Sequence, residues 1–284
     1  MRVVQQADAQ GFLAASAGFR AAHPVLTNVI GSVAGRVRDG RRYDSELWLT
    51  VHDGHGSEPV GIAMRTAPHN LVVSPMPTDA AQALGVHLAA VDPDLPGVTG
   101  ERGVCEPLLE VLGATDRAHI GMVEKVRVLQ TLTAPLHHVQ GRARRIEAGD
   151  VELVADWLVS FAVEADLNVR PSRDEVLAEL ASNPAPARWL WMRAGQPVAL
   201  AGHAPLVPTP AGTVGRVGPV YTPEQHRGHG YASAITHAVS ETLRQRCGVV
   251  MLYTDAANAT SNAVYERLGY AVVAEVVEIQ VEPR

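Results

Sequence analysis

Cysteine is nearly missing from this chain of 284 residues: Cys105 and Cys247 are the only two. That is too few for a disulfide scaffold or a four-cysteine zinc site. Lysine is scarcer still, since Lys125 is the only one among 24 basic residues. Lys125 is followed by Val126 and lacks the preceding glycine pattern, which excludes a Walker A phosphate loop. It sits in the apolar-alternating stretch 123–128, where a solvent-side strand residue is a better reading than a Schiff-base amine. No apolar run approaches the roughly 18 residues of a membrane span. Residues 1–8 turn polar before a signal-peptide core could form. The formal charge of −6 gives no electrostatic reason to expect nucleic acid. A cytoplasmic protein without membrane or nucleic-acid partners is the expectation, as a monomer or homodimer. Gly31-Ser32-Val33-Ala34-Gly35 puts serine one place too early for a nucleophile elbow. His52 and His55 flank a turn, His137 and His138 are sequential neighbours, and His226 and His229 share one loop. None of these has convergent ligand spacing, so no metal is expected.

What is present is ordinary for a globular protein: 46% hydrophobic and 19% charged residues, enough for one large domain or two of moderate size. Strands are expected at 47–51, 59–64 and 70–74 from their apolar, β-branched runs between turns. Helices are expected over 79–91 and 106–112, then a strand at 122–132. After Pro135 a second cycle begins, with helices over 150–165 and 173–180, the latter stopped by Asn183-Pro184. Strands follow at 189–192, 197–203 and 213–221. The clearest helix covers 228–246, then come a strand at 249–253, a helix over 259–268 and one or two strands over 271–281. Both halves mix strands and helices alike, which reads as a duplicated α+β unit with its seam near 135–145.

Two segments carry chemistry. In the first, residues 213–221 run as a strand into Thr222-Pro223-Glu224-Gln225-His226-Arg227-Gly228-His229-Gly230, and a long amphipathic helix follows from Tyr231 and Ala232. Free amides at such a helix start converge on one spot that favours an anion. The glycines allow close approach, and Arg227 adds a charge. In the second, Asn258, Asn262 and Tyr265 are offset by four and three, so they share a helix face. An ordinary glycine-rich turn, and a helix capped by Asn258 or Ser261, are the bland readings of the two segments.

Together they resemble the GNAT superfamily of acyl-coenzyme A-dependent N-acetyltransferases. Gln225-His226-Arg227-Gly228-His229-Gly230 meets the family's Gln/Arg-x-x-Gly-x-Gly/Ala pattern, and Asn258, Tyr265, Gly269 and Tyr270 meet the downstream one. The resemblance is strong over roughly 140–284. It implies two GNAT-like units, each a mixed, mostly antiparallel sheet flanked by helices, with a splayed strand pair at the cofactor site of the second. It implies residues 136–284 as the acetyl-CoA-binding catalytic domain and 1–135 as a degenerate copy, whose Pro75 and Pro77 stand where free amides would be needed. It further implies that Val220, Tyr221 and Thr222 pair by main chain with the pantetheine arm. Amides from Gln225 to Ala232 would hold the pyrophosphate. Asn258, with Ser261 and Asn262, would contact the cofactor, and Tyr265 would protonate the leaving thiolate. The implied reaction moves an acetyl group from acetyl-CoA, as co-substrate, to the amine of a small molecule or peptide. A non-catalytic acyl-CoA sensor is the alternative. The strand 213–221 has no carboxylate for a general base, leaving Glu164, His203, Asp255 or water.

Overall fold

Alternating apolar strands and amphipathic helices, repeated twice, bury their faces on one twisted sheet with helices on both sides. The computed structural model describes residues 1–54, 56–182, 187–210 and 212–283. His55, Asn183 and Pro184 of the sequence reading lie outside them. The first half runs β1 (Arg2–Gln5), α1 (Ala9–Ala15), α2 (Ala17–Ala22), α3 (Asn28–Arg38), β2 (Glu46–His52), β3 (Gly61–Thr66), β4 (Leu71–Val73), α4 (Thr78–Val91), β5 (Gly97–Gly100), α5 (Arg102–Val111) and β6 (Ala118–Leu129). The second runs β7 (Arg142–Arg145), α6 (Val151–Glu164), α7 (Arg173–Leu180), β8 (Ala187–Arg193), β9 (Gln196–His203), β10 (Val207–Thr209), β11 (Gly212–Tyr221), α8 (Tyr231–Arg244), β12 (Val249–Asp255), α9 (Ala259–Arg267) and β13 (Tyr270–Val281). The fold is thus α+β, as expected, and the last strand is single. Helix α8 starts later than its apolar stripe suggested, because Gly228 and Gly230 both take φ +78°, which no right-handed helix accepts.

The sheet order is β1-β2-β3-β4-β5-β13-β6-β12-β11-β9-β8-β7, with β10 paired to β11. Two strands are therefore out of chain order. The last strand, β13, lies between β5 and β6 of the first half, while β6 lies between β13 and β12 of the second. Each half lends a strand to the other, so the seam at 135/136 crosses no gap in the sheet.

On one face, called the acceptor face for the role proposed for it below, α1–α3 pack on Trp48, Ile62 and Met64, and α6 and α7 pack on Leu190, Leu200 and Tyr221. Between them Val25 and Leu26 cover Val126, Val214, Met251 and Val276. On the opposite face, called the cofactor face for the role proposed for it below, α4 and α5 cover Leu49, Val98 and Ile279. Helix α8 there packs Tyr231, Ile235 and Val239 on Val250 and Leu252, with Leu268 beside them.

The linker leaving β6 is stapled to the end of α9: Gln130 N donates to Gly269 O at 3.0 Å and Thr133 N to Leu268 O at 3.1 Å. Gly269 has φ +94°, and a Cβ there would sit 1.8 Å from the Thr131 carbonyl oxygen. Glycine is required at that position by conformation and by backbone approach together. Gly269→Ala should lower stability by at least ~3 kcal/mol in urea denaturation, the scale of an unrelieved backbone clash. Residues 136–284 expressed alone would leave β12 and β13 without β6 between them. We expect poorly dispersed amide NMR signals for that fragment, restored when residues 1–135 are supplied; a well-dispersed spectrum from the fragment alone would contradict the exchange as a folding requirement.

Candidate active site

Strands β11 and β12 run parallel, paired only at Val214/Val249, Gly215/Val250 and Arg216/Met251. Beyond Arg216 they part: β11 stays with β9, shifting register between Val217 and Val220, and β12 stays with β6. This is the splayed pair that the sequence resemblance implied. Val220 and Tyr221 form the last turn of strand on one arm, and Thr222 leads into the loop. A polar ligand entering the splay meets strand edges with unspent main-chain groups, the condition for β-type main-chain recognition.

At the mouth of the splay the loop makes a short 3₁₀ turn over Glu224–His226, then Gly228 and Gly230 turn the chain into α8. Gly230 is the N-cap of α8 and contributes no side-chain cap. No described residue accepts a hydrogen bond from the amides of Gly228, His229, Gly230, Tyr231, Ala232 or Ser233. Six exposed or helix-end amides with no protein acceptor make a cradle for a diphosphate-sized anion, reinforced by the helix dipole. A Cβ on Gly228 would meet nothing within 4 Å, so the need for glycine there is its backbone conformation. The His229 imidazole lies back on the loop, 2.7 Å from Arg227 O, and stacks on Tyr231.

Arg227 does not stand free beside this cradle. Its guanidinium pairs with Glu164, and its Nε donates to Thr222 O at 3.0 Å. Glu164 also accepts from the Tyr221 hydroxyl at 2.8 Å. Burial works against the Glu164 charge, yet the Tyr221 and Arg227 donors outweigh it and hold the carboxyl below its usual range. It therefore braces α6 against the loop and is a weak proton acceptor. His203 is buried, its Nδ1 2.7 Å from Ala204 O and its ring against Trp189. Burial depresses its pKa, so it stays neutral inside the core. Asp255 ends β12 and caps the next turn, accepting from Ala257 N at 2.8 Å.

The polar stripe expected on α9 divides. Asn258 is the exposed N-cap, accepting from Ser261 N at 3.0 Å. Asn262 points the other way, into the protein: Nδ2 donates to Asp255 O and Asn258 O, both at 2.8 Å, and Oδ1 accepts from Arg127 at 2.9 Å. Its amide is spent on stitching α9 to β12 and β6, which corrects the reading of Asn262 as a ligand-facing residue. Equal helical spacing could not reveal this, because Arg127 arrives from the first half of the chain. Tyr265 is half-buried on the cofactor face, edge-on to Tyr270 with ring centroids 6.2 Å apart. Burial pushes its pKa up to about 12, with Arg127 opposing, so the phenol keeps its proton at neutral pH.

Sequence reasoning missed one residue of consequence. Glu124 on β6 lies directly opposite Asp255 on β12, on the acceptor face at the parting of the strands. Burial first, then Glu278 and Asp255, raise its carboxyl to about 7, while Arg216 pulls it down. Its only sequence trace was a charged residue at an inward position of an apolar-alternating strand.

Replacing Asn262 by alanine should cost about 3 kcal/mol, since it strips Arg127, itself buried, of a charge-assisted partner and frees two carbonyls. Urea denaturation of the Asn262→Ala protein measures this.

The comparisons with known proteins fit this geometry. No curated protein matches the chain. Its fold is similar along its length to the X-ray structure of a Drosophila protein, with TM-score 0.66, 15% identity, and 99% and 98% of the two chains covered. A GCN5-related N-acetyltransferase from Sphaerobacter thermophilus gives TM-score 0.60 at 17% identity over 99% and 96%. One from Kribbella flavida gives 0.58 at 16% over 92% and 96%. At such identities the likeness is one of fold. Residues 152–270, which hold the splay, the amide cradle and Tyr265, match the acetyltransferase (GNAT) family. That match covers the C-terminal part of the chain alone.

Proposed function

We propose that the protein transfers an acetyl group from acetyl-CoA to a primary amine, in a complex holding both substrates at once. The observation that carries this reading is the run of six unaccepted amides, 228–233, at the mouth of a splayed β11/β12 pair. The cradle suits the pyrophosphate, the open strand edges of residues 220–222 suit the pantetheine amides, and exposed Asn258 with Ser261 borders that arm. The cofactor would supply an activated acyl thioester at the base of the splay.

The chain's own groups then divide by face. Tyr265, on the cofactor face, keeps its proton at neutral pH because burial raises its pKa, so the phenol is available to give that proton to a departing thiolate. Glu124, on the acceptor face, is the group whose pKa is matched to taking a proton near neutrality. The amine arrives as an ammonium ion and gives up one proton through Glu124 to water. Its lone pair then forms the new N–C bond while the C–S bond breaks. The second nitrogen proton passes to Glu124 and the sulfur takes that of Tyr265; Glu124 then gives its proton up to water while Tyr265 recovers one from water, so amide, thiol and one net proton leave and both side chains are restored. Holding both substrates in the splay contributes by orientation.

Tyr265→Phe should lower kcat by roughly 10² to 10⁴, the usual worth of one proton-transfer group, with acetyl-CoA binding unchanged by calorimetry. Saturable binding by the wild type with no amine-dependent thiol release would favour a sensor instead. For Glu124 the folded pKa stands above the unfolded carboxyl's, so its contribution to stability is fully present below about pH 4 and is lost as pH rises through about 7. Glu124→Gln should therefore raise the melting temperature at pH 8 relative to wild type. It should also abolish the limb near pH 7 in the kcat profile.

A further inference from the structure

Arg216 is the last residue of β11 paired with β12 before the two strands part. Its side chain is on the acceptor face, opposite to the side on which α8 and the amide cradle lie, so it is placed away from the cofactor phosphates. It carries a cation held by neutral partners. Its Nε donates to Asn28 Oδ1 at 3.0 Å, and its guanidinium lies 6.0 Å from the Tyr253 ring centroid. No described carboxylate lies within ion-pair distance of it. Asn28, the first residue of α3, is 1% exposed, and its Nδ2 is buried with no hydrogen-bond partner. That amide donor belongs to the same carboxamide that orients Arg216, so an unspent guanidinium edge and an unspent N–H₂ stand side by side.

The surroundings deepen the imbalance. Arg36 and Arg188 share the single carboxylate of Glu179, at 3.4 and 3.8 Å. Arg188 is 7% exposed, and its Nε too is buried without a partner. Two guanidinium groups thus share one anion where α3 of the first half meets β8 of the second, and Arg216 on β11 feels the charge of Arg36 beside them. Across the floor from Arg216 the sign reverses, with Glu124 and Asp255 opposite each other on β6 and β12. Glu278 stands on β13, where Asn70 and Gln280 donate to it at 3.2 Å each and Asn168 donates to it as well. Buried unpaired cations and amide donors are costly unless a partner completes them. Guanidinium and carboxamide donors together match the two oxygens of a carboxylate.

We propose that the acceptor is a small amino carboxylate, its carboxylate bound by Arg216 and Asn28 Nδ2 and its amine turned toward Glu124. This rests on the acetyl-transfer reading and names the substrate class of that site. Both halves of the chain contribute to the recognition: Asn28 and Glu124 come from the first, Arg216 from the second.

The test uses the full-length protein, acetyl-CoA and thiol detection, with the common amino acids, their carboxamides and the amines lacking the carboxyl group as acceptors. At least one amino acid should be turned over with kcat/KM 10- to 100-fold above its carboxamide and its decarboxylated amine. Arg216→Gln should remove that preference, raising KM for the amino acid by roughly 10- to 100-fold, the scale of one charge-assisted contact, with little change for the carboxamide. Asn28→Asp, nearly the same shape, places a carboxylate against Arg216. It should keep or raise the melting temperature and leave the acetyl-CoA Kd unchanged, yet raise the amino-acid KM at least tenfold. Acetyl-CoA binding with equal or better turnover of the neutral or purely cationic amines would overturn this proposal and leave acetyl transfer standing. So would equal losses for acid and amide in Arg216→Gln. Failure of the wild type to bind acetyl-CoA would overturn both.

Discussion

The exchange of β6 and β13 is the constraint on which the rest of the molecule depends. A strand buried on both sides in a sheet must spend every main-chain donor and acceptor on its neighbours. Strand β6 spends its own on β12 and β13, both from the other half. The exchange also fixes side chains. Arg127 enters beneath α9 because β6 runs there, and it holds Asn262 and the Tyr270 carbonyl at 2.9 and 3.1 Å. Helix α9, which carries Tyr265, is thereby anchored by a residue far away in sequence. Stapling the linker to Gly269 closes the same connection from the other end.

The splay follows from this arrangement. Strand β12 is drawn along β6 to Asp255, and β11 along β9 to Tyr221. The two share only three register pairs before their other neighbours pull them apart. The first half has no counterpart. Its β4 and β5 are three and four residues long, with only Ser74 to Pro77 between β4 and α4. Buried Ser74 fills that turn, accepting from Ile62 N at 2.9 Å, and Pro75 and Pro77 offer no amide. A cradle requires free N–H groups on a loop able to curve away from the helix, and here the connection is four residues long with two prolines among them.

What could be read from the sequence was what is local in it. The helix stripe of α8, the two glycines before it and the Asn258 cap are decided within a dozen residues, by periodicity, left-handed backbone and capping chemistry. The first 45 residues beyond β1 carry three short helices whose pattern is broken by turns, and no periodic run made them legible. Asn262 and Arg227 are chemically suited to a ligand, and their spacing allowed it. Both are instead consumed by partners, Arg127 and Glu164, that lie 135 and 63 residues away. Glu124 was invisible for the same reason. Its raised pKa depends first on burial and then on Glu278 and Asp255, and only the exchanged strands bring those two beside it.

The proposed reading divides the labour between the two halves. On the proposed reading, everything that meets the coenzyme lies between residues 220 and 265, contiguous enough to be retained as a block. What meets the acceptor is scattered: Asn28 on α3, Glu124 on β6, Arg216 on β11, joined only by folding. On the same reading the first half presents α3 and β6, and the second half cannot supply β6 from within because that strand holds the place between β12 and β13. If the proposed reading holds, the first half forms one side of the acceptor's binding place, and acceptor preference would change by substitution there while the residues that meet the coenzyme stay fixed.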